Sequence, residues 1–232
     1  MGFEYLTNVP LAQARKEYLE RLVSGGFGSK TETIPVFESC GRVTAKAVYA
    51  HICAPHYAAS AMDGVAVSAK ETFGATETTP VTLKPDQFLV LDTGDPIPED
   101  KDAVIMVEDI VKNGDGSITI HAAAAPWQHI RQIGEDVCAG EMILPSHMTV
   151  SPAAIGAMIA GGVLEIEVIR KPVVGIIPTG DEIIPPCTDP KPGDILEFNG
   201  SIFSAMVRSW GAEAVVYPIV PDKFNQIKEM VA

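Results

Sequence analysis

The residues best suited to chemistry are carboxylates in short loops that contain glycine. The sequence Thr179-Gly180-Asp181-Glu182 follows the apolar run Val173–Ile177, and Asp222 follows the next apolar run, Ala214–Ile219. Because ligands of open α/β sheets bind beyond the carboxyl ends of the strands, we expect these carboxylates to face one crevice. Carboxylate oxygens there suit Mg²⁺, directly or through water. The alternative is a plain turn whose carboxylates are solvated.

Three further loops carry the same kind of residue. They are Ser60-Ala61-Met62-Asp63-Gly64, Asp92-Thr93-Gly94-Asp95-Pro96 and Gly134-Glu135-Asp136. Small residues around Asp63 allow a ligand to approach closely, and the Thr93 hydroxyl can donate a hydrogen bond to a phosphate. Taken singly, each loop is better explained as an ordinary turn, because Asp-Gly and Gly-Asp-Pro are common turn sequences.

The signatures of several large enzyme classes are missing from the sequence. It contains no Gly-x-Gly-x-x-Gly, no phosphate-binding P-loop, no Gly-x-Ser-x-Gly and no His-Glu-x-x-His. What remains is a set of carboxylates spread over several loops. Such a set fits metal-assisted chemistry on a polyanionic substrate better than acid–base chemistry on a neutral one.

The overall composition narrows the classes of partner. The formal net charge is −13, which argues against nucleic acid and against an anionic membrane surface, since both require a basic patch. No apolar run reaches the ~18 residues of a spanning helix. The four cysteines are scattered without a Cys-x-x-Cys pair, so we expect reduced, mostly buried thiols in a cytoplasmic protein.

The elements that must position these loops fall into three predicted domains. Residues 1–49 and 145–170 should form a discontinuous α+β domain, because the two segments carry elements of the same kind. The elements are an amphipathic helix (Pro10–Ser24), an extended segment (residues 31–37), a helix (Ala153–Ala160) and an alternating strand (Leu164–Val168). Proline and serine signals mark the helix starts, and paired glycines mark the ends. We expect the extended segment to pair with Leu164–Val168.

A β-rich domain, residues 50–144, is predicted as an insertion into the first domain. Its short apolar runs are interrupted by Gly and Pro, and Val104–Val107 reads as a buried strand. Asn113-Gly114-Asp115-Gly116 predicts a hairpin turn between Val107–Val111 and Ser117–His121, because these residues tolerate positive φ.

The third predicted domain, residues 171–232, begins an α/β fold. Its strand Val173–Ile177, a helix capped by Asn199 or Ser201 and ending near Trp210, and its strand Ala214–Ile219 form a βαβ unit, hence a parallel sheet. Residues 225–231 read as another helix. Since two strands are few for a domain, we expect the sequence to be part of a longer protein.

Taken in order, the motifs resemble one family. Ser60–Gly64, Thr93–Pro98, Ala103–Asp109, Gly134–Asp136 and Thr179–Glu182 are similar to the successive motifs of molybdopterin molybdenumtransferases, the MoeA and gephyrin E-domain family. The resemblance runs from about Leu11 to Asp222. It implies an α/β multidomain fold, with the third domain of the molybdopterin-binding type.

The resemblance also implies an activity. Members of this family insert molybdenum from molybdate into adenylylated molybdopterin, with Mg²⁺-dependent cleavage of the pyrophosphate link and release of AMP. They are homodimers whose sites lie between subunits, and molybdopterin adenylyltransferase is the implied upstream partner. Electrostatics supports the requirement for Mg²⁺, because molybdate, pyrophosphate and carboxylates are all anionic and need a cation between them.

Site residues follow from the resemblance position by position. The implied catalytic residues are Asp63, Thr93, Asp136, Glu182 and Asp222. Of these, Asp63, Glu182 and Asp222 would position Mg²⁺, while Thr93 would donate to the substrate and Asp136 would orient its neighbours or the molybdate. The implied substrate-binding residues are Ser60, Met62, Gly94, Thr179, Gly180 and Asp181. Asp181 is alternatively the turn residue of its motif.

One segment departs from the family pattern. The family usually has Phe-Asp-Asn before Ser-Ala-Met-Asp-Gly, whereas this sequence has Tyr57-Ala58-Ala59 and so lacks two polar side chains. The departure motivates a second hypothesis, a regulatory paralogue that binds molybdopterin or molybdate without chemistry. A third is a scaffold that only dimerises. Because the fourth domain and the rest of the third are absent, we expect this chain alone not to turn over.

Overall fold

The N-terminal helix is held by local signals rather than by packing. The structure, a computed structural model, describes residues 8–231. Helix α1, Leu11–Ser24, follows Pro10 and ends at Gly25, as predicted. None of its residues is buried, and Leu11, Tyr18 and Val23 are largely exposed. Most of the apolar side chains of the helix therefore face solvent, and Leu22 is half-buried.

The first domain joins two distant parts of the chain. Strand β1, Thr31–Pro35, pairs antiparallel with β12, Glu165–Ile169, so that Ile34 lies opposite Ile166. This confirms the predicted pairing, although β12 begins one residue later than the pattern indicated. A 3₁₀ turn, Val36–Glu38, follows β1. The first seven residues of the predicted range 1–49 lie outside the described residues, and the exact domain boundaries stay predictions.

Helix α2, Pro152–Ala160, closes the core of this domain. The hydroxyl of Ser151 accepts a hydrogen bond from the N–H of Ala154 at 3.2 Å, and Gly161 ends the helix. The cap and the stop are the predicted ones. Met158 is fully buried and packs with Val36, Val150 and Val168, so this helix lies on the β1–β12 ribbon.

The chain leaves and re-enters the first domain at one place. Strand β2, Val48–Tyr49, pairs with β11, Met142–Leu144, and Leu144 lies opposite Val48. The inserted region contains two three-stranded antiparallel sheets, in the orders β6-β4-β7 and β5-β9-β8, and one short ribbon, β3-β10. Its strands are β3 (Ala59–Ser60), β4 (Gly64–Val67), β5 (Val81–Leu83), β6 (Phe88–Leu91), β7 (Ala103–Met106), β8 (Ile110–Lys112), β9 (Ile118–Ile120) and β10 (Ile130–Arg131).

Strand β4 lies at the centre of the inserted region and is buried along its whole length. Val65 and Val67 pack with Leu83 and Ile120 of the second sheet. Ala66 faces the other way and packs with Ile130 in a separate cluster. A strand with two buried faces explains why Gly64–Val67 is apolar without alternation. The multidomain α/β fold class is confirmed.

The predicted hairpin forms, but its first strand is shorter than expected. Residues Val107–Asp109 form a 3₁₀ turn, and β8 starts only at Ile110. The N–H of Val107 donates to the carbonyl of Asp63, just before β4 begins, so the pairing with β4 reaches Val107 and the chain turns after it. The Asn113 amide donates to the hydroxyls of Ser117 and Thr119 and closes the hairpin turn.

The third domain has the predicted parallel unit. Strand β13, Val173–Ile176, pairs in parallel with β16, Glu213–Val216, and helix α3, Asn199–Ser209, crosses between them. Strands β14 (Ile183–Ile184) and β15 (Ile195–Leu196) form a short parallel pair that the sequence pattern did not indicate, and α4 spans Phe224–Val231.

Three expectations about this domain were wrong. The continuous apolar run Val173–Ile177 favours a strand covered on both faces, but within the described residues β13 is not so covered, since Val173 is 57% exposed. Strand β16 ends at Val216 rather than at Ile219, because Pro218 has no N–H to donate to a neighbouring strand. Neither Asn199 nor Ser201 caps α3; instead, Oε1 of Glu197 accepts from the N–H of Gly200 at 2.6 Å.

Two further findings concern the cysteines and the helices of the described residues. The expectation of buried thiols was wrong, because Cys40, Cys138 and Cys187 are exposed and Cys53 is half-buried. Between residues 8 and 231, no helix combines the length and the apolar character needed to cross a membrane.

Candidate functional site

Asp63 and Thr93 meet although 30 residues separate them in the sequence. Asp63 lies in the turn between β3 and β4, and Thr93 lies just beyond the end of β6. Because β6 is hydrogen-bonded to β4, with Gly64 opposite Leu91, the two turns are adjacent. Oδ1 of Asp63 accepts from the N–H of Thr93 at 2.7 Å and from its hydroxyl at 2.8 Å.

These contacts fix the charge of the carboxylate. The backbone N–H of Thr93 and, second, its hydroxyl hold the pKa of Asp63 below its ordinary value of 3.8, because both hydrogen bonds favour the charged form. Desolvation acts weakly in the other direction. The side chain is exposed. Asp63 therefore offers an ionised carboxylate, anchored through one oxygen, to a ligand at the surface.

The rest of the Ser60–Gly64 loop is held by backbone hydrogen bonds. The Ser60 hydroxyl donates to the carbonyl of Met62 at 2.6 Å, and the carbonyl of Ser60 accepts from the N–H of Gly94 at 2.8 Å. The Tyr57 hydroxyl donates to the carbonyl of Gly94 at 2.9 Å. The predicted binding residues Ser60, Met62 and Gly94 thus belong to one cluster with Asp63 and Thr93.

The third loop joins this cluster through a strand pair. Strand β10 pairs with β3, so that Arg131 lies opposite Ala59. The Arg131 guanidinium binds the Asp136 carboxylate and also lies 3.5 Å from Glu135. Asp136 is exposed and is held beside the Ser60–Gly64 loop by its arginine. A carboxylate held in this way suits an orienting role better than cation binding, because it already has a positive partner.

A second cluster lies in the third domain. Thr179 forms an isolated parallel bridge with Val220, and the N–H of Gly180 donates to the carbonyl of Val220 at 3.1 Å. Oδ1 of Asp181 accepts from the N–H of Asp222 at 3.2 Å. The predicted meeting of these two loops therefore occurs at the carboxyl ends of β13 and β16. Asp181 links them, which fits the alternative of a turn-forming residue.

An open cavity of about 610 Å³ lies beside this second cluster. Asp181 and Glu197 are its two carboxylates, and Gly180 and Tyr217 line it with several prolines. Glu182 is exposed and folds back over Gly180, since a β-carbon on that glycine would lie 3.2 Å from Oε2 of Glu182. A β-carbon at Gly180 would meet Cγ1 of Ile183 at 2.6 Å, so the glycine leaves room for the side chains of both Glu182 and Ile183.

The structure gathers the predicted residues into two groups rather than one. Asp63, Thr93 and Asp136 belong to the inserted region, whereas Glu182 and Asp222 belong to the third domain. Within residues 8–231, no group of three or more His, Cys, Asp or Glu side chains is arranged to hold a metal ion. A cation ligated by Asp63, Glu182 and Asp222 together would need a further chain or its own waters and substrate.

Three residues of these clusters escaped the sequence analysis as site residues. Tyr57 binds Gly94, Arg131 binds Asp136, and Glu197 caps α3 and lines the cavity. Arg131 had a weak signal, because it precedes Glu135 and Asp136 by four and five residues in a chain short of cations. Glu197 had the acidic character that favours a helix start.

Comparison with sequence families gives one match. The model of the family described as MoeA N-terminal region (domain I and II) matches residues 9–162. That range holds the first cluster and the Asp136 loop. The second cluster lies beyond it.

Curated relatives extend the similarity into the third domain. Molybdopterin molybdenumtransferase 2 of Mycobacterium tuberculosis is 35% identical over 210 residues, covering 84% of this chain and 52% of its own length. Molybdopterin molybdenumtransferase of Haemophilus influenzae is 31% identical over 224 residues, covering 91% of this chain and 54% of its own length. The chain thus spans about half the length of the curated relatives it matches.

Solved structures agree with the sequence comparisons. A molybdopterin biosynthesis MoeA protein from Pyrococcus horikoshii OT3 superposes with a TM-score of 0.79 at 32% identity, covering 87% of this chain and 58% of that one. A second structure of the protein from the same organism also gives 0.79, at 29% identity, and covers 97% of this chain and 60% of that one.

Proposed function

Since this chain belongs to the MoeA family, we propose that it serves molybdenum cofactor biosynthesis, in the insertion of molybdenum from molybdate into adenylylated molybdopterin. The observation that carries the proposal is the Asp63–Thr93 contact, which presents an ionised carboxylate between two turns that each contain a glycine. Cleavage of the pyrophosphate link of the substrate would release AMP. The cytoplasm is the expected compartment, and molybdopterin adenylyltransferase is the expected upstream partner.

Magnesium fits the donor atoms of both clusters. Mg²⁺ prefers oxygen ligands, keeps several waters, and is usually held by one or two carboxylates together with substrate phosphates. Asp63, Glu182 and Asp222 are exposed carboxylates of this kind. They would hold the cation, which would neutralise charge on the pyrophosphate as its bond breaks. Asp136, bound to Arg131, would orient the neighbouring loop instead.

The protein's own groups would bind and orient the substrate. The Thr93 hydroxyl can rotate from Asp63 towards a phosphate oxygen, while the Thr93 N–H keeps the Asp63 carboxylate in place. Ser60, Met62 and Gly94 would form the wall of the first cluster, and Thr179, Gly180 and Asp181 that of the second. A homodimer would bring Asp63 of one subunit towards Glu182 and Asp222 of the other.

The regulatory alternative rested on the segment Tyr57-Ala58-Ala59, and its geometry does not favour that hypothesis. The carbonyl of Ala58 accepts from the N–H of Ile97 at 2.9 Å, and Ala59 bridges Pro96. Tyr57 adds its hydroxyl contact to Gly94. Backbone groups and one phenol thus hold the two loops together without the two polar side chains of the family pattern.

The test is AMP release by the whole gene product, given adenylylated molybdopterin, molybdate and Mg²⁺. We expect Asp63→Asn to lower turnover by about 10²-fold or more, because an amide of the same shape carries no charge for the cation. Asp86→Asn, at another exposed carboxylate of the inserted region, is the matched control and should be neutral. Folded, dimeric wild-type protein that releases no AMP would refute the proposal.

A further inference from the structure

Two cysteines lie opposite each other where the inserted region leaves the first domain. Segments 50–55 and 134–141 run antiparallel: the N–H of Ala54 donates to the carbonyl of Val137 at 2.8 Å, and Val137 donates back at 3.2 Å. Further along, the N–H of Ala50 donates to the carbonyl of Glu141 at 2.9 Å. This register places Cys53 opposite Cys138, in the non-hydrogen-bonded position where facing side chains are closest.

The two sulfur atoms converge on the same glycine. A β-carbon on Gly134 would lie 2.8 Å from Sγ of Cys138 and 3.6 Å from Sγ of Cys53. The sulfurs are therefore no more than about 6.4 Å apart, the sum of those two distances, and the Cα spacing of a non-hydrogen-bonded pair, about 4.5 Å, lies within the range of disulfides. Bond formation then requires rotation about the Cα–Cβ bonds that brings the sulfurs to about 2.05 Å from each other.

Each thiol already has a polar neighbour and a path to solvent. The Cys138 thiol donates to the carbonyl of Gly134 at 3.4 Å, and the N–H of Ala139 donates to Sγ of Cys53 at 3.4 Å. Cys138 is exposed and Cys53 is half-buried, and both are free. The remaining cysteines, Cys40 and Cys187, are also free and exposed, so they serve as internal controls for accessibility.

We infer that Cys53 and Cys138 are a redox-active pair that closes to a cross-strand disulfide when a low-molecular-weight disulfide, such as oxidised glutathione, accumulates. The thiolate of Cys138 attacks one sulfur of the small disulfide and releases one small thiol. The thiolate of Cys53 then attacks the mixed disulfide and releases the second small thiol. The protein loses two electrons, the small disulfide gains them, and the two cysteine protons pass to the released thiolates.

Closure would act on the loop that carries Asp136. The N–H of Asp136 donates to the carbonyl of Ala54 at 2.9 Å, so the loop is already tied to the residue next to Cys53. A covalent link closes a chain loop of about 85 residues, which lowers the entropy of the unfolded state. In a reducing compartment the pair would stay open until an oxidant rises. This inference goes beyond the proposed function and does not depend on it.

The experiment treats the full chain with oxidised glutathione, blocks the remaining thiols and maps the crosslinked peptides by mass spectrometry. The expected product is one peptide pair joining Cys53 to Cys138, with Cys40 and Cys187 carrying glutathione or the blocking group. Dithiothreitol should reverse it. We expect the oxidised protein to unfold at a temperature about 5–10 °C higher than the reduced protein.

Variants that each lack one cysteine distinguish a specific Cys53–Cys138 pair from nonspecific oxidation. Cys53→Ser and Cys138→Ser should each abolish both the crosslink and the thermal shift, whereas the double variant Cys40→Ser, Cys187→Ser should keep both. The double variant also guards against misfolding, because the crosslink can be mapped in it with Cys53 and Cys138 intact. Glutathione on Cys53 and Cys138 separately, or a crosslink to Cys40 or Cys187, would overturn the inference.

Discussion

At the scale of single residues, the Asp63 carboxylate shows how a surface loop can hold a charge ready without burying it. One of its oxygens is occupied by the two Thr93 donors, while the side chain stays exposed. A carboxylate of this kind loses little hydration on folding and costs little to keep ionised. Its orientation is set by a neighbouring turn, so a ligand meets a group that is already placed.

The pKa of Asp63 is the first property to test. In the native protein it should titrate below 3.8 by carbon-13 NMR of the carboxyl group. Since the folded pKa is the lower one, the stabilisation from the Thr93 contact is complete above the unfolded value and is lost as the pH falls through the folded value. Stability measured against pH should show this loss only in the acid range.

A pair of Thr93 variants separates the contributions of the backbone N–H and the hydroxyl to the lowered pKa of Asp63. Thr93→Val removes the hydroxyl but keeps the backbone N–H, which is the larger cause, so the pKa of Asp63 should rise only part of the way towards 3.8. Thr93→Ser keeps both donors and should leave it unchanged. A Thr93→Val protein whose Asp63 titrates at the wild-type pKa would contradict the hydroxyl contact.

At the residue scale, the sequence shows the type of a side chain but not its neighbours. The family resemblance makes Asp63 and Thr93 candidate ligand-binding residues, and the register of β4 and β6 brings them together. The Tyr57–Gly94 and Arg131–Asp136 contacts were not foreseen. A tyrosine bound to a backbone carbonyl leaves no pattern, and the direction of an arginine side chain depends on the β3–β10 pairing.

At the scale of elements, the packing at the start of β4 sets how closely β7 approaches the Ser60–Gly64 loop. Gly64 lies opposite Leu91 of β6 and Met106 of β7, and a β-carbon there would overlap the carbonyl of Ile105. The glycine in Ser-Ala-Met-Asp-Gly is therefore required by backbone packing, rather than by the loop that carries the aspartate. Its absence of a side chain lets β7 lie against the end of the loop.

Gly64→Ala should destabilise the protein by about 2–4 kcal/mol, because the methyl group must push a backbone strand aside in the core. Chemical denaturation measures the change. Gly114→Ala is the matched control: a β-carbon at Gly114 meets nothing within 4 Å, so the loss there should be small. Equal losses in the two variants would mean that strand β7 does not constrain Gly64.

Elements whose signals are local were the predictable ones. Pro10, Gly25 and Ser151 bound α1 and α2 as expected, and Asn113 closes its hairpin. The pattern failed where a distant group decided the outcome. The pairing of β7 with β4 extends to Val107, which bonds to Asp63, and leaves a 3₁₀ turn before β8. The two-residue strands β14 and β15 are too short to carry a period.

At the scale of the whole molecule, helix α1 leaves large apolar side chains exposed to solvent. Leu11 is 83% exposed, Tyr18 63% and Val23 73%, and all three belong to the apolar stripe of this amphipathic helix. An apolar stripe left in water is costly, at roughly 25 cal/mol per Å². We expect dimerisation through the first and third domains, and burial of this stripe in such a homodimer would remove that cost.

Light scattering should therefore find a dimer, and Tyr18→Glu should shift the equilibrium towards the monomer, because a charge placed on an apolar face must be desolvated on association. Gln13→Glu adds the same charge to the same helix away from the stripe and is the matched control. A wild-type protein that stays monomeric at high concentration would contradict the proposed subunit-bridging site.

The pairing of β2 with β11 has a consequence for engineering and for ancestry. Because Val48 and Leu144 are ladder partners, the entry and exit of the inserted region touch, and the host ribbon β1–β12 closes without it. A short reverse turn could replace the inserted region and leave a smaller first domain. The excised region could be cyclised by joining its two ends. Such a layout lets one module be exchanged for another within a lineage while its carrier persists.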